Sequence, residues 1–412
     1  MKDWVEKPLG DFCEIKHGFA FKGERFTNQP TEYYVVTPAN FAIGGGFQGG
    51  KDTFYVGDFP DEYILEKDDL IVTMTDLSKT GDTLGFPALV PANQKYEYLH
   101  NQRIGKVIVN ENEVNKLFIY WLMRTQAYQR YIVGLATGST VKHTAPKSIK
   151  SFKSNFPSLP IQTRIADILS TYDEAIENNN RRIALLEKIA QELYREWFVR
   201  FRFPGHESVK VVNGLPDGWE VVRLKSFGQI ETGKTPPTEN KDNYGDEIMF
   251  VKTPDMHSNM YVITTGEYLS EKGHLTQPKK LLPANSIMVS CIGTGGVVAL
   301  NAEQAHTNQQ INSIIPDNER YTEWLFFTCQ NLKEIIELFG ATGATMPNLS
   351  KGKFERLKVI QPPQFLIEMF HERTKDSFSL IKTLMRQSQN LVQQRDLLLP
   401  RLMSGKLEVQ NA

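Results

Sequence analysis

The sequence predicts a mixed α/β fold: two tandem α/β domains, separated by two long antiparallel helices that form a coiled coil, in a pseudo-twofold internal repeat. Three observations predict it. The second half of the 412-residue chain repeats the first half in order. Each half opens with short apolar runs broken by Gly, Pro, Asn and Asp, as strands and loops require. Each half closes with a long stretch whose apolar residues are three and four apart, which indicates an amphipathic helix.

The repeat is visible residue by residue, and we call its two halves copy 1 and copy 2. Trp4, Leu9, Phe12, Ile15 and Gly18 recur without a gap as Trp219, Leu224, Phe227, Ile230 and Gly233. Further on, Asn101-Gln102-Arg103-Ile104 matches Asn308-Gln309-Gln310-Ile311. Matches in one order throughout indicate a duplication. Copy 1 has about ten extra residues between Asp76 and His100, and loops are where such copies diverge.

The α/β part of each copy is predicted to span residues 1–160 and 204–363. The runs at 71–73, 107–109 and 287–289 are apolar and partly β-branched, which favours strands. Apolar residues at helical spacing predict helices at 115–131 and 323–339. The result is a domain made mostly of strands and loops.

The helical parts are predicted at 161–203, where Pro204-Gly205 stops the first helix, and at 364–412, where the helix runs from about Gln364 to Met403 and a tail follows. About 42 residues at 1.5 Å rise give a rod of roughly 60 Å. Such a rod must bury its apolar stripe, and the nearest candidate is the other rod. The polar Asn179 lies on that stripe, where it can fix register. The residues predicted to pair the helices or bind a partner are Ile176, Leu186, Leu193, Trp197, Leu384, Leu391 and Leu398.

Composition sets wide bounds on function. The formal net charge of −1 does not itself indicate a nucleic-acid ligand, although a local patch is sufficient for one. Cys13, Cys291 and Cys329 form no close pair, so neither a disulfide framework nor a thiolate metal site is indicated. The first residues lack the apolar core of a secretory signal, and no apolar run reaches membrane-spanning length. We expect a cytoplasmic protein.

The architecture and the local charge both favour double-stranded DNA as the ligand. Two unlike recognition domains on a stiff spacer suit a DNA target in two separate halves, since proteins with twofold symmetry bind half-sites about one helical turn apart. Between Asn115 and Ala166 the chain has eight Lys or Arg residues and no Asp or Glu. Such a run can supply the phosphate contacts that dominate DNA affinity. The alternative is an ordinary solvated face.

Polar, glycine-containing loops supply the candidate DNA contacts, because Ser, Thr, Asn, Lys and His donate hydrogen bonds to phosphates and base edges. Arg103 stands where copy 2 has Gln310, and Arg favours guanine whereas Gln favours adenine. A buried structural contact is the more usual role for such an arginine, and turn chemistry is the alternative for the loops. The candidates are Lys79, Thr80, Arg103, Thr140, Lys142, His143, Lys147, Thr294, Thr345, Asn348 and Lys351.

Sequence motifs for chemistry are weak, so no catalytic residue and no metal ligand is predicted. The glycine-rich run 293–296 lacks the acidic residue of a nucleotide fold, and no phosphate-cradling loop ends in Gly-Lys-Ser/Thr. Two alternatives stay open at this point. One is a two-domain coiled-coil scaffold that binds only proteins, and the other is an enzyme that acts on DNA by itself.

Three stretches resemble a known family. They are Leu215-Pro216-Asp217-Gly218 before Trp219, the run Pro160-Ile161-Gln162-Thr163-Arg164-Ile165 at the first helix start, and the ending from Arg395 to Leu407. With the duplication, they resemble the specificity subunit of type I restriction-modification systems over essentially the whole chain. The first copy departs from the family pattern at Leu159-Pro160, where copy 2 has Pro362-Pro363.

The resemblance implies two target recognition domains, a coiled-coil spacer and a bipartite DNA target. It implies two methyltransferase subunits docked on the helices, and restriction and translocase subunits that join them in an endonuclease complex. S-adenosylmethionine, ATP and Mg²⁺ are then expected on the partner subunits, with no cofactor in this chain.

Overall fold

The computed structural model describes residues 4–50, 52–78, 80–93, 95–138, 141–257, 259–340 and 348–409. The chain divides into two compact units: unit 1 is Met1–Ile176 with Leu391–Ala412, and unit 2 is Glu177–Asn390. Each unit contains the α/β part of one copy and a segment of each long helix. The α-helices are α1 (Lys116–Met123), α2 (Gln126–Gly134), α3 (Pro146–Lys150), α4 (Leu159–Tyr194), α5 (Glu271–Leu275), α6 (Thr322–Gln330), α7 (Lys333–Gly340), α8 (Lys351–Glu355) and α9 (Gln364–Met403).

The strands of unit 1 form two sheets and two short pairs. One sheet has the order β2-β11-β7-β9, and the other has the order β3-β5-β4-β10-β6. The pairs are β1 with β13 and β8 with β12. The strands are β1 (Val5–Pro8), β2 (Cys13–His17), β3 (Phe26–Thr27), β4 (Tyr33–Val36), β5 (Phe54–Tyr55), β6 (Ile64–Leu65), β7 (Leu70–Thr73), β8 (Thr75–Asp76), β9 (Pro87–Leu89), β10 (Glu97–His100), β11 (Ile104–Val109), β12 (Lys142–His143) and β13 (Lys153–Phe156).

Unit 2 repeats this plan. Its sheets have the orders β17-β25-β22-β23-β20 and β18-β21-β19-β24, and β16 pairs with β26 as β1 does with β13. The strands are β14 (Val211–Val212), β15 (Leu215–Pro216), β16 (Glu220–Arg223), β17 (Gly228–Thr232), β18 (Tyr244–Gly245), β19 (Ile248–Val251), β20 (Tyr261–Val262), β21 (Tyr268–Leu269), β22 (Ile287–Ser290), β23 (Val298–Asn301), β24 (Ala305–Thr307), β25 (Ile311–Pro316) and β26 (Lys358–Gln361).

The predicted duplication is confirmed in the backbone. In both copies an antiparallel ladder joins the first long strand to the strand after the Asn-Gln turn, as β2 with β11 and β17 with β25. Both copies also contain a parallel pair, β4 with β10 and β19 with β24. The matched tryptophans Trp121 and Trp324 are almost fully buried, one in each core.

The short helices differ from the prediction in one respect. The stretch 115–131 forms two helices. α1 ends at Met123, and α2 begins after Thr125, whose hydroxyl accepts a hydrogen bond from the Tyr128 N–H as an N-cap. The stretch 323–339 is likewise divided into α6 and α7. The apolar residues keep helical spacing across both breaks, so the sequence pattern does not show where one helix ends and the next begins.

The two long helices are present and antiparallel. Within unit 2, Asn179 and Tyr194 of α4 contact Gln387 and Phe370 of α9, so the partner number falls as the α4 number rises. The Asn179 side chain is buried and its Nδ2 donates to Gln387 Oε1 at 3.3 Å. Among the described residues, no helix has the length and apolar character to cross a membrane.

The end of the first long helix was predicted incorrectly. Regular α4 geometry ends at Tyr194 rather than near Phe203, and one π-helical turn follows at Arg195–Val199. The aromatic side chains of Trp197, Phe198 and Phe203 are buried with Trp219 in the unit 2 core, and this packing draws the chain off the helix axis. The second helix spans Gln364–Met403, as predicted.

Candidate nucleic-acid interface

Backbone hydrogen bonds bring three candidate segments of copy 1 to one junction. The N–H of Met74, the residue after β7, donates to the Arg103 carbonyl at 2.9 Å. The Met74 carbonyl accepts from the Thr144 N–H at 3.0 Å. One residue therefore links the turn that holds Arg103 with the segment that holds Lys142 and His143, and we call this arrangement junction 1.

Copy 2 has the same arrangement, which we call junction 2. The Cys291 N–H donates to the Gln310 carbonyl at 2.7 Å, and the Cys291 carbonyl accepts from the Leu349 N–H at 3.0 Å. Cys291 takes the place of Met74, and Gln310 takes the place of Arg103. The duplication therefore preserves the backbone connections while the side chains differ. Arg103 is exposed, whereas Gln310 is half-buried and its Oε1 accepts a hydrogen bond from Asn308 Nδ2 at 3.1 Å.

A glycine fits closely against the Asn-Gln turn of each junction. A Cβ atom on Gly18 would lie 2.2 Å from the Asn101 carbonyl oxygen, and one on Gly233 would lie 2.2 Å from the Asn308 carbonyl oxygen. Real Cβ atoms do not approach backbone oxygens this closely. The recurrence of Gly18 as Gly233 in the sequence therefore has a steric cause.

In copy 1 the structure brings several predicted residues to junction 1. His143 is exposed, and its Nδ1 lies 3.2 Å from the Thr75 hydroxyl oxygen. Lys142 is half-buried and lies opposite Asp76 in the backbone register of β8 and β12, while Thr80 and Lys147 are exposed. Lys79 and Thr140 lie outside the described residues. These side chains stay predicted DNA contacts.

Arg103 is exposed at junction 1, so the buried structural role that such an arginine usually has does not apply. Its N–H donates to Asn101 Oδ1 at 2.9 Å, and its carbonyl accepts from Met74. The backbone of Arg103 is fixed while its guanidinium faces solvent. This combination suits a side chain that contacts a ligand.

The predicted DNA-contact residues of copy 2 differ in their exposure at junction 2. Thr294 and Asn348 are exposed, and Asn348 bridges to Ile292 in the loop that holds Thr294. Lys351 is half-buried, and its Nζ lies 3.9 Å from Glu231 Oε1. Thr345 lies outside the described residues.

Glu231 is a feature of junction 2 that the sequence did not suggest. Burial acts to raise the pKa of its carboxyl, but a 2.8 Å hydrogen bond from Lys280, with Lys351 close by, holds that pKa below its ordinary value. The charge of Lys351 is thus partly offset before any ligand binds.

Some basic side chains of the 115–166 stretch in copy 1 already have acidic partners within the chain. Arg124 is buried and forms an ion pair with Asp173, with its Nη1 2.5 Å from Asp173 Oδ2. Lys150 pairs with Glu14 at 2.8 Å. These carboxylates come from other parts of the chain, so the stretch has no acid in sequence yet has acids nearby in space. The members that remain exposed are Arg130, Lys147, Lys153 and Arg164.

The predicted helix-pairing residues differ in burial. In unit 2, Trp197 and Leu384 are buried, and Leu186 and Leu193 are half-buried against the core. In unit 1, Leu398 packs against the core that contains Leu169 and Leu402, while Ile176 and Leu391 are half-buried. Leu185 and Ile189 of α4 are exposed by 60% and 64%, so two apolar residues one helical turn apart are uncovered.

The three cysteine side chains of the chain, Cys13, Cys291 and Cys329, are all buried. Burial raises the pKa of Cys13 and of Cys291 to about 11, and it raises the pKa of Cys329 further still. A buried thiol with a raised pKa is a poor nucleophile, because the thiolate is the reactive form. Across the described ranges, no group of three or more His, Cys, Asp or Glu side chains is placed to hold a metal ion.

Acid is expected to destabilise copy 1 through His100, which is buried beside junction 1 with its Nε2 2.9 Å from the Ile104 carbonyl oxygen. Burial lowers the pKa of His100 to about 4. Between pH 6.5 and 4 the unfolded chain binds a proton that the folded chain does not, so stability falls as pH falls. The expected loss is about 3 kcal/mol at about 1.4 kcal/mol per pKa unit.

The measurement is the free energy of unfolding of unit 1 across this pH range. His100→Gln, which keeps an N–H donor but does not titrate, should reduce the slope between pH 6.5 and 4. His257→Gln alters an exposed histidine of copy 2 and should leave this slope unchanged. Equal slopes for the native chain and His100→Gln would contradict the assignment.

The geometry defines a duplicated protein: two α/β copies with matched junctions whose side chains differ, and a long antiparallel helix pair. The model of the type I restriction modification DNA specificity domain matches residues 1–188 and 216–365. The chain belongs to this family, the specificity subunits of type I restriction-modification systems, as the sequence resemblance implied.

Individual relatives agree with this assignment. The chain is 31% identical over 403 residues to the HindI specificity subunit of Haemophilus influenzae, covering 80% of this chain and 87% of that protein. It is 28% identical over 320 residues to the MjaIX specificity subunit of Methanocaldococcus jannaschii, covering 75% and 73%. A solved S subunit from M. genitalium matches 99% of this chain and 97% of its own with a TM-score of 0.62. At 17% identity, the latter shows the fold alone.

Proposed function

We propose that the chain reads a bipartite DNA target with unlike halves, using residues 1–160 for one half and residues 204–363 for the other. The observation that carries this proposal is the pair of matched junctions. Their backbones are connected in the same way, yet Arg103 and Gln310 differ at the equivalent position. The Arg103 side chain faces solvent on a fixed backbone, which suits it to read base edges in the major groove.

The helical parts, 161–203 and 364–412, serve as the spacer and as the docking site for two methyltransferase subunits. Exposed Leu185 and Ile189 support this role, since residues four apart lie on one helix face and such apolar faces mark interaction sites. Restriction and translocase subunits then join the complex, which works in the cytoplasm, where chromosomal DNA is accessible.

The chain itself contributes recognition and no bond-making step. The buried thiols with raised pKa values support this view. S-adenosylmethionine is bound by the methyltransferase partners, and ATP and Mg²⁺ are bound by the translocase partners. The residues of this chain position those partners on DNA, which is why the base chosen for methylation depends on junction 1 and junction 2.

The exchange Arg103→Gln, which copies the copy 2 residue into junction 1, tests the proposal. We expect one position of one half-site to change from guanine towards adenine, because Arg and Gln form bidentate contacts with these two bases respectively. The free-energy preference for guanine over adenine at that position should change by about 1–3 kcal/mol. The measurement is methylation by the complex of duplexes that vary at each position of the target.

Arg164→Gln is the matched control, because it makes the same chemical change at an exposed residue of α4. It should leave the base preference unchanged at every position. The proposed role of junction 1 is wrong if Arg103→Gln behaves as Arg164→Gln does.

A further inference from the structure

The loop at 76–83, which follows β8 in copy 1, is closed by one buried carboxylate. Asp76 is 4% exposed, and its Oδ1 accepts the Ser78 N–H at 2.6 Å. Its Oδ2 accepts both the N–H of Thr83, at 2.5 Å, and the hydroxyl of Thr83, at 2.8 Å. Because Ser78 and Thr83 stand near the two ends of the loop, the carboxylate joins those ends.

A second set of bonds lies among the described residues of the same loop, 76–78 and 80–83. The Ser78 hydroxyl oxygen accepts the N–H groups of Gly81 and Asp82, both at 2.9 Å. Gly81 has φ of +77°, a value that suits glycine. The loop is thus organised by its own side chains, and the exposed Thr80 and Leu77 lie within it.

The loop is also attached to the rest of junction 1. In the antiparallel backbone register of β8 and β12, Asp76 lies opposite Lys142, and Thr75 lies opposite His143. Asp76 has no ion-pair partner within the described part of the chain, so the donors of the loop itself stabilise the charge. Burial acts to raise the pKa of Asp76, and these donors outweigh it and hold the pKa below its ordinary value.

Copy 2 has no equivalent carboxylate. Gly293 stands at the position that matches Asp76, and the loop there is shorter. It is closed by Ser290, whose hydroxyl oxygen accepts the Val297 N–H at 2.9 Å. The two loops are therefore fixed by different residues.

We propose that Asp76 is a positioning residue, which sets the shape of the 76–83 loop before DNA binds and so determines base choice in one half-site without contacting DNA. The inference rests on the proposed function. A loop that is organised in advance loses less entropy on binding, and it presents its side chains in one arrangement to each base pair. Disorder of this loop should therefore reduce discrimination more than it reduces overall affinity.

The test uses the full chain in complex with its methyltransferase subunit and Asp76→Asn. The asparagine amide keeps one acceptor oxygen but turns an NH₂ group towards the N–H of Ser78 or of Thr83, so one end of the loop is released. We expect discrimination between the target and single-base variants to fall about tenfold in one half-site, as the loss of a charged hydrogen bond implies. That half should be the one altered by Arg103→Gln, and the other half should be unchanged.

Asp255→Asn is the matched control in copy 2, where the carboxylate accepts the N–H groups of Lys252 and Gly266 at 2.8 Å and 3.0 Å. It should lower thermal stability without changing the half-site read by copy 1. If Asp76→Asn does not fold, Thr83→Val removes only the hydroxyl donor and should give a smaller loss in the same half.

Two results would overturn the inference: unchanged discrimination in Asp76→Asn, or an equal loss in both halves. The wild-type complex separates this failure from failure of the proposed function. If the wild-type complex methylates no split target, the proposed function fails. If it does, and Asp76→Asn retains full discrimination, only the role of Asp76 fails.

Discussion

Arg124→Ala is expected to lower the free energy of unfolding of unit 1 by about 3 kcal/mol, the cost of removing one partner from a largely buried ion pair. Arg124 Nη1 donates to Asp173 Oδ2 at 2.5 Å and to the Tyr120 hydroxyl at 2.8 Å. Its Nε donates to the Gly44 carbonyl at 2.8 Å, and its guanidinium lies 4.4 Å above the Trp121 ring. Truncation removes all of these contacts at once.

The same network joins separate parts of unit 1. Asp173 of α4 also accepts a hydrogen bond from Arg395 of α9 at 2.5 Å. Gly44 begins three successive glycines with φ of +88°, +89° and +105°, and a Cβ on Gly45 would lie 2.7 Å from the Arg124 Cγ. The Arg124 side chain therefore joins a glycine turn of the α/β part to Asp173 of α4, and Asp173 in turn joins Arg395 of α9.

Denaturant unfolding, combined with hydrogen exchange in peptides from unit 1, measures this effect. Lys375→Ala is the control, since its ion pair with Glu372 is on the surface and should contribute little to the free energy of unfolding. Arg124→Lys keeps the charge but not the forked donors, so most of the loss should remain. A free energy of unfolding for Arg124→Ala within about 0.5 kcal/mol of the native value would contradict this account.

Gly18→Ala is expected to disrupt junction 1 and to destabilise copy 1 by about 3 kcal/mol, at the upper end of ordinary overpacking costs. The new Cβ would lie 2.2 Å from the Asn101 carbonyl oxygen and 2.5 Å from the His100 carbonyl oxygen. Both contacts are with backbone, so a strand or a turn must move. The turn concerned is the one that holds Arg103, so discrimination in the half-site read by copy 1 should fall as well.

Gly23→Ala is the control for this steric effect, because no atom lies within 4 Å of its added Cβ. Its stability should change by less than about 0.5 kcal/mol. Unfolding and the methylation of single-base variants should be measured for both chains. Equal tolerance of the two substitutions would show that the turn adapts and that the close approach has no energetic consequence.

The duplication and the helix pair were predictable from the sequence because they depend on local patterns. A repeated order of residues and an apolar period near 3.5 can each be recognised without coordinates. Gly18 and Gly233 were identified in this way as matched positions. The reason for the match, contact with the Asn101 and Asn308 carbonyls, depends on backbone distances that no sequence pattern contains.

The role of Arg124 was not predictable, because its partner is distant in sequence. The acid-free stretch suggested that its basic residues face DNA. Two of them instead pair with distant acids: Arg124 with Asp173, 49 residues away, and Lys150 with Glu14, 136 residues away. Long-range ion pairs of this kind depend on tertiary packing. The end of α4 was misjudged for a related reason, since the Trp197 and Phe198 side chains leave the helical stripe to enter the unit 2 core.

Asp76 shows a different limit of sequence analysis. An acidic residue in a candidate DNA-binding loop argues against phosphate contact, and nothing in the sequence shows that its carboxylate is buried and accepts three hydrogen bonds. The difference between copies was visible as an insertion in copy 1. Its physical meaning, a loop closed by Asp76 where copy 2 uses Ser290, required the structure.

The central claim is that two unlike junctions of one chain determine a split DNA target. Co-expression of this chain with its methyltransferase subunit, followed by mapping of methylated bases in the host DNA, tests it most directly. We predict a motif of two unlike halves that disappears when this chain is omitted, and one half that changes in Arg103→Gln. Methylation that is the same without this chain, or a motif that is continuous, would contradict the claim.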